Sequence, residues 1–241
     1  MRKFIYPFLI LFAVSGVAFA QTKNVAVVSF YINKQIDVTE FGAPAYLAVK
    51  KLTEDPNFNL APLLTSFHNE FFNNYSKNLP FALLPEDQIT RNEAYKAYVP
   101  VGIAGSGLLD ANNFILPFNG YKIFLRLVGH DNENNMLKLF PQADGVMSVA
   151  INFKLIKVGF GGMGVVKVDA KATISLFNKA GEKVFIIEED EKSKSVSPMV
   201  AGAPVMSPEK IIPMCESAMG ELMNTLQKDL PKMTKKTDAK L

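Results

Sequence analysis

Residues 159–164 carry the sequence pattern that most resembles a known ligand-binding motif. They read Gly-Phe-Gly-Gly-Met-Gly and match G-x-G-x-x-G, which holds a pyrophosphate when a strand leads through the glycines into a helix. Alternating sequences on both sides predict a strand before the segment and a strand after it, so no helix dipole would face the loop. We therefore interpret it as a hairpin turn. Its Phe160 and Met163 either touch a membrane or a partner, or fold back onto the sheet.

Cys215, His68 and His130 are the other side chains that could act as nucleophile, base or metal ligand. Cys215 lies four residues from both Ile211 and Met219 on an apolar helical stripe, where a thiol behaves as a small hydrophobic group. His68 lies at the edge of another apolar stripe and His130 in a Gly-His-Asp turn, and no motif joins either to a nucleophile. One cysteine cannot form an internal disulfide, and two histidines cannot build a His-rich metal site. The sequence therefore predicts no catalytic residue, no metal site and no cofactor.

The acidic run of the sequence is Glu-Glu-Asp-Glu at 188–191. A strand is expected to end here, so successive carboxylates would point to opposite faces of the sheet instead of converging on one ion. We interpret the run as a solvated strand end. Calcium binding stays an alternative, because calcium prefers carboxylate ligands and exported proteins meet this ion at high concentration.

Composition and charge indicate a folded protein without a preference for polyanions. Hydrophobic residues make up 49% of the chain and charged residues 20%, a balance that favours a sizeable core over disorder. The 26 basic and 23 acidic residues give a net charge of +3 over 241 residues, which does not predict nucleic acid as a partner.

The amino terminus has the parts of a secretory signal peptide. A basic start at 2–3 precedes a largely apolar stretch over 4–19, and Ala-Phe-Ala at 18–20 has the small-x-small form that signal peptidase accepts. We expect residues 1–20 to be cleaved off and the protein to be exported to the periplasm or the periphery of the outer membrane. The one cysteine, Cys215, is far from this site, so a lipoprotein is not expected. Peripheral membrane contact stays open, whereas a membrane span after cleavage is not expected.

The amino-terminal half of the mature chain predicts a buried strand followed by helices. Residues 24–31 are β-branched and aromatic with apolar residues on both faces, as in a central strand. A short helix is predicted over 45–52. Apolar residues then recur every three or four positions over 60–79, which predicts an amphipathic helix before a short strand at 81–84. The glycines and asparagines of about 99–120 predict an irregular insertion.

The carboxyl-terminal half predicts an antiparallel meander. Apolar and polar residues alternate over 147–155 and again over 166–176, which is the period of half-buried strands. The glycines of 159–164 join these two strands, and a turn at 178–182 leads into a third strand over 183–189.

A final amphipathic helix is predicted over 208–228. Ser207 has the residue type of an N-cap, and Pro208 suits the first helical position. The lysines of 231–241 predict a flexible tail beyond this helix.

Three short motifs occur in a fixed order along the chain: Val-Ala-Val-Val-Ser-Phe at 25–30, Ala-Asp-Gly-Val at 143–146 and Gly-Glu-Lys-Val at 181–184. With the helices around them, they resemble the small periplasmic αβ domain of the curli secretion protein CsgG, the penicillin-binding-protein activator LpoB and the amino-terminal domain of TolB. Members of this group are generally adaptors, so the resemblance implies protein binding and not catalysis. CsgG and LpoB are lipoproteins, and this sequence departs from them because it lacks the lipidated cysteine.

These patterns predict a single α/β domain of the α+β type over residues 21–230. We expect a mixed, largely antiparallel sheet with a three-strand carboxyl-terminal meander. The helices at 60–79 and 208–228 would pack on one face. The other face is expected to be polar and partly open, and it would carry Lys167, Asp169, Lys171, Thr173 and Ser175.

The sequence predicts a non-enzymatic exported accessory or adaptor protein that binds another cell-envelope protein. Binding is expected through the open sheet face or the insertion at 99–120. The candidate binding residues are Phe160, Met163, Lys167 and Lys171. The alternative is a carrier of a lipid or another apolar small molecule, because the chain contains 19 Phe and 10 Met beside an irregular insertion.

Overall fold

A mixed sheet of eight strands is the central element of the protein. The computed structural model describes residues 23–102, 114–125, 129–159, 164–200 and 203–241. The strands are β1 (Asn24–Asn33), β2 (Ala82–Leu83), β3 (Ile115–Pro117), β4 (Gly145–Val158), β5 (Val165–Asn178), β6 (Lys183–Lys192), β7 (Ser197–Val200) and β8 (Ala203–Pro204). The helices are α1 (Ala43–Glu54), α2 (Ala61–Asn73), α3 (Glu86–Thr90), α4 (Glu93–Ala97), α5 (Asp131–Leu139) and α6 (Pro208–Lys240), with a 3-10 turn at Tyr75–Asn78.

The strand order is β2-β1-β4-β5-β7-β8, with β3 paired to β1 and β6 paired to β5. β1 runs parallel to β2 and β4, whereas β4, β5 and β6 form an antiparallel meander. The predicted mixed sheet and its three-strand meander are confirmed. β4 and β5 are 14 residues each and are joined through 159–164, as the hairpin prediction requires. Phe160 and Met163 lie outside the described residues.

The second turn of the meander is fixed by local hydrogen bonds. The side-chain oxygen of Asn178 accepts hydrogen bonds from the backbone N–H groups of Ala180 and Glu182, at 3.0 Å each. Gly181 has a φ of 77°, a left-handed conformation that glycine adopts without strain. The sequence signals of this turn therefore correspond to its actual geometry.

One face of the sheet is covered by α1, α2 and α6. The main core cluster joins Val49 of α1, Phe67 of α2 and Leu222 of α6 to the apolar residues of β1, β4 and β5. The prediction that the two main amphipathic helices share a face is confirmed, and α1 extends their layer. Every second residue of β5 is buried from Val166 to Ala172, which matches the alternating sequence that predicted the strand, whereas the residues from Ala172 to Phe177 are all buried.

The second face is more covered than the sequence predicted. Val28 of β1 and Phe177 of β5 pack against Ile89 of α3, Tyr95 of α4 and Met136 of α5. β1 is apolar on both faces, so both of its faces have to be shielded from water. The short helices α3, α4 and α5 provide this second layer.

The expected polar face is therefore open only in part. Thr173 and Ser175 are buried, which corrects their expected place on an exposed surface. Lys167, Asp169 and Lys171, nearer to the hairpin, are half-buried and remain accessible. The boundary arises because α3, α4 and α5 pack with the amino-terminal part of β4 and the carboxyl-terminal part of β5.

The last helix is longer than predicted, and the tail expected at 231–241 is helical to Lys240. Met233 and Thr237 are buried in this extension, and the Tyr75 hydroxyl donates to Met233 Sδ at 3.0 Å. Pro231 lies inside the helix, although a proline usually indicates a helix boundary. Packing of the extension against the domain explains the difference from the predicted flexible tail.

Residues 99–120 are described only in part, because 103–113 lie outside the described residues. Ile115–Pro117 form β3, which pairs antiparallel with the end of β1. This part of the predicted irregular insertion is a strand. Three residues are too few to produce a periodic sequence signal.

None of the helices in the described ranges is both long and apolar enough to cross a membrane.

Candidate binding sites

The predicted lysines of the sheet face have different surroundings. Lys171 Nζ forms an ion pair with Glu188 Oε2 at 2.8 Å, because β5 and β6 pair side by side. Lys167 has no ion-pair partner among the described residues. The two side chains do not line a common cavity, so the structure does not bring these predicted site residues together.

Lys171 does line a polar recess of about 270 Å³ on the sheet face. The other lining residues are Asp37, Asn152, Phe153, Lys154, Asp169 and Asp190. Lys154 Nζ is paired with Glu40 Oε1 at 2.8 Å, so the two cations of the recess each have an anionic partner. The recess has mixed charge, which gives it no clear preference for a ligand of either sign.

Asp169 is the most unusual group in this recess. Burial raises the pKa of its carboxyl group, and its Oδ1 atom has no hydrogen-bond partner in the described part of the chain. Across the same part of the chain, no group of three His, Cys, Asp or Glu side chains is placed to hold a metal ion. The acidic run at 188–191 is therefore not joined to a metal-binding cluster there.

His68 belongs to a buried polar cluster with Glu86 and Tyr121. His68 Nε2 lies 2.7 Å from Glu86 Oε1, and the Tyr121 hydroxyl donates to the same oxygen at 2.8 Å. Burial opposes ionisation of Glu86, but the hydrogen bonds from His68 and Tyr121 outweigh it and lower the pKa of the carboxyl group. The imidazole is stacked on Phe118, with ring centroids 3.6 Å apart. The cluster thus links α2, α3 and the segment that follows β3.

Cys215 lies in the core on α6, as its place on the apolar stripe predicted. It is a free cysteine, and burial raises the pKa of its thiol above the ordinary value. A thiol that remains protonated in an apolar environment is a poor nucleophile. The burial of Cys215 supports a structural role for the residue.

A groove between α2 and α6 is the larger candidate site, and the sequence did not predict it. Its volume is about 550 Å³. The two helices bury neighbouring stripes in the same core, so their outer flanks face each other across a gap. The floor of this α2–α6 groove consists of Leu63, Phe67, Met219 and Met223.

Amide side chains line both walls of the α2–α6 groove. Asn74 donates to Glu70 Oε2 at 2.6 Å, but the remaining wall amides make no hydrogen bond to a described residue. These amides are Asn69, Asn73, Asn224 and Gln227. Each of them can donate and accept, so the walls offer unused hydrogen-bonding capacity to a ligand.

The electrostatic character of the α2–α6 groove is acidic. Glu70 and Glu216 contribute carboxylates, and no lysine or arginine is among the lining residues. Gly220 faces open space on α6, since a Cβ atom added there would meet nothing within 4 Å. The groove therefore fits a ligand with hydrogen-bond donors, positive charge and a few apolar groups.

The sequence contained part of this information. The polar residues that flank the apolar stripe of α2 were visible as the outer face of an amphipathic helix. Which helix would lie beside that face was not visible, because helix neighbours are chosen by tertiary packing.

Comparisons with known proteins give no family for this chain. No family model matches it, and no curated protein matches it significantly. Among solved structures, it is similar to a neuraminyllactose-binding hemagglutinin homolog from Helicobacter pylori, with 9% identity, 90% coverage of each chain and a TM-score of 0.36.

Two other solved structures give similar values. Lipoprotein GNA1162 from Neisseria meningitidis has 11% identity and a TM-score of 0.31, with 71% of this chain and 83% of that chain covered. The hypothetical protein CT253 from Chlamydia trachomatis has 8% identity and a TM-score of 0.36, with 88% and 94% covered. Similarity at this level assigns neither a family nor a function, and the resemblance to CsgG, LpoB and TolB stays a prediction.

Proposed function

We propose that this chain is a non-enzymatic, exported accessory protein that holds a segment of another cell-envelope protein in the α2–α6 groove. The observation that carries the proposal is the combination of an apolar floor with walls that carry amides and the carboxylates of Glu70 and Glu216. The signal-peptide pattern at 1–20 supports the exported location.

The dimensions of the α2–α6 groove suit a short polypeptide segment. The lining residues of α2 extend from Leu63 to Asn73, which at the rise of a helix corresponds to about 15 Å. An extended chain covers this length with about five residues. Backbone N–H and C=O groups of such a segment would pair with the wall amides, whose side chains carry both donors and acceptors.

The charge of the groove indicates which kind of segment it would bind. Glu70 and Glu216 have no basic neighbour among the lining residues, so a segment with lysine or arginine would be favoured. Methionines on the floor adapt to different apolar side chains. The proposed partner is therefore a basic segment with one or two apolar anchors.

The alternative of an apolar carrier has less support. Its motivation was the large number of phenylalanines, but in the described residues these rings pack on one another. Phe30, for example, contacts the rings of Phe67, Phe71 and Phe72 at centroid distances of 5.7–6.0 Å. Aromatic side chains used in this way serve mainly to fill the core, and of these four rings Phe67 also forms part of the floor of the α2–α6 groove.

Site-specific photo-crosslinking in the native cell tests the proposal. A photoreactive residue at Asn73 or Asn224 should give a discrete protein adduct, whereas one at Lys183, on an exposed strand far from the groove, should not. Gly220 has room for a Cβ atom, so Gly220→Phe is used to place a ring in the groove, and Gly220→Ala is its matched control. We expect Gly220→Phe to abolish the adduct and Gly220→Ala to retain it.

Two results would overturn the proposal. One is an equally strong adduct from Lys183, which would indicate unspecific contact. The other is an adduct at Asn73 that Gly220→Phe leaves unchanged, because the partner would then not occupy the groove. A bound lipid in intact-mass spectra of the exported protein, without a protein adduct, would favour the carrier alternative.

A further inference from the structure

Helix α1 exposes two large apolar side chains beside two lysines. Tyr46 and Leu47 are 57% and 61% exposed, while the opposite side of the helix is buried in the core. Lys50 and Lys51 follow them by four residues, so each lysine lies one turn further along the same exposed side. We call Tyr46, Leu47, Lys50 and Lys51 the α1 surface.

The apolar character continues onto neighbouring elements at the hairpin end of the sheet. Val200 is 64% exposed and pairs with Ala203 of β8, the strand that packs against α1. Phe41 lies just before α1, with the Nζ atom of Lys157 5.1 Å from its ring centroid. Apolar groups from α1 and from the end of the sheet are thus exposed at one end of the molecule.

Charges of both signs lie at this end of α1, because Glu54 and Asp55 follow Lys50 and Lys51 by four residues. Lys50 and Lys51 form no ion pair with any residue that the structure describes. Glu40, the nearest acidic residue before α1, is neutralised by Lys154 at 2.8 Å. Within α1 itself, Glu54 at the last position is the acidic residue. The lysines of the α1 surface are therefore available for an anionic partner.

We propose that the α1 surface binds the surface of an anionic lipid bilayer. Leucine and tyrosine side chains are stable at the level of the lipid headgroups, where the phenol ring keeps its hydroxyl in water. Lysine side chains extend along apolar surface and place their ammonium groups among lipid phosphates. Protein–protein interfaces are instead depleted in lysine, so two adjacent lysines beside the apolar pair favour a membrane over a protein partner.

This inference does not depend on the proposed function. None of the residues that line the α2–α6 groove belongs to α1, so the two proposals rest on different residues. Failure of either proposal leaves the other testable.

The absence of tryptophan from the sequence allows a direct measurement. Tyr46→Trp introduces a single fluorophore on the α1 surface, and Val99→Trp introduces one at an exposed position elsewhere. The protein is purified after export, so that any cleaved segment is absent, and is titrated with vesicles of neutral lipid alone or with about 30% phosphatidylglycerol. We expect a blue shift and quenching by brominated acyl chains for the Trp at 46 with anionic vesicles, and neither for the Trp at 99.

Charge and apolar contact are separated by two double variants. Lys50→Gln/Lys51→Gln should weaken binding to anionic vesicles about tenfold or more, and added salt should have the same effect on the unaltered protein. Tyr46→Ser/Leu47→Ser should weaken it as well but leave the salt dependence in place. Lys179→Gln/Lys183→Gln, at the other end of the meander, is the matched control and should bind like the unaltered protein.

The proposal would be overturned if the protein binds neutral and anionic vesicles equally or binds neither. It would also be overturned if the control double variant lost as much binding as Lys50→Gln/Lys51→Gln. A dimer in solution that Tyr46→Ser/Leu47→Ser converts to a monomer would identify the α1 surface as a protein interface instead.

Discussion

The α2–α6 groove and the α1 surface use apolar groups in opposite ways. The floor of the groove is made of core residues such as Phe67, which is 2% exposed, whereas Tyr46 and Leu47 of the α1 surface project into water. The groove is acidic and rich in amides, and the α1 surface is basic. The same helical layer thus presents two surfaces of different chemistry.

This difference indicates what each surface can bind. A recessed floor between polar walls selects a narrow ligand that satisfies the walls by hydrogen bonds. A protruding apolar pair with flexible lysines is suited to a broad, deformable surface that needs no exact fit. The burial of the apolar groups, together with the sign of the neighbouring charge, therefore separates a segment-binding site from a membrane-contact site.

Truncation of an apolar residue from each region gives the largest contrast. Phe67→Ala removes a ring that packs against Phe30 at 5.8 Å, and we expect the free energy of unfolding to fall by about 3–5 kcal/mol. Tyr46→Ala should change it by about 0.5 kcal/mol or less, because the ring is mostly exposed. Urea unfolding of both variants checks this, and similar losses would show that α1 packs its apolar pair in the folded protein.

The second largest expected effect is a pH dependence of stability that affects the second half of α6 more than α1. The neighbouring carboxyl group of Asp229 on α6, together with burial, raises the pKa of Glu189 on β6 to about 7, while Lys232 opposes the rise and Asp190 adds to it. The folded-state pKa exceeds the ordinary value, so the pair stabilises α6 fully below about pH 4.5. This contribution is lost as the pH rises through about 7.

We expect the Tm to fall by a few degrees between about pH 5.5 and pH 8.5, with faster hydrogen exchange in the second half of α6 than in α1. Glu86 does not oppose this trend, because its pKa is lowered and its contribution is lost only at more acidic pH. The control is Glu189→Gln, which keeps the shape of the side chain and should flatten the profile. A profile that Glu189→Gln leaves unchanged would assign the effect to other groups, Asp169 among them.

Gly220→Ala tests the groove by a smaller change in stability, which is expected to be a gain and not a loss. Glycine in a helix is conformationally costly, and an added methyl group meets nothing within 4 Å, so stability should rise by about 0.5–1 kcal/mol. Thermal unfolding measures the change. A loss of stability would mean that the groove is narrower in solution than its lining residues indicate.

Local sequence patterns predicted the elements that have long repeats. Apolar and polar residues alternate over 147–155 and 166–176, inside strands β4 and β5 of 14 residues each, and the glycine-rich turn between them indicated that the two strands pair. The parallel pairing of β1 with β4 was not predictable in the same way. It joins Val25 to Gly145, and no local signal specifies a partner at that distance.

Sites were harder to predict than elements because they depend on which elements become neighbours. Lys171 was correctly placed on the sheet face, but its ion pair with Glu188 follows from the strand register. The exposure of Tyr46 and Leu47 is similar: a short helix was predicted there, yet only the packing of α1 decides which residues face outward. The extension of α6 past Pro231 likewise depends on tertiary contacts such as that of Met233 with Tyr75.

Lys171 provides the smallest expected effect and the sharpest test of the contrast between the two surfaces. Its ion pair with Glu188 is largely exposed, and such pairs contribute about 0.5 kcal/mol, so Lys171→Ala should barely change unfolding by urea. It should also leave both the groove adduct and vesicle binding unchanged, because Lys171 lines neither surface. Loss of the adduct in a folded Lys171→Ala protein would return the binding site to the open sheet face that the sequence predicted. The acidic groove would then be a consequence of helix packing alone.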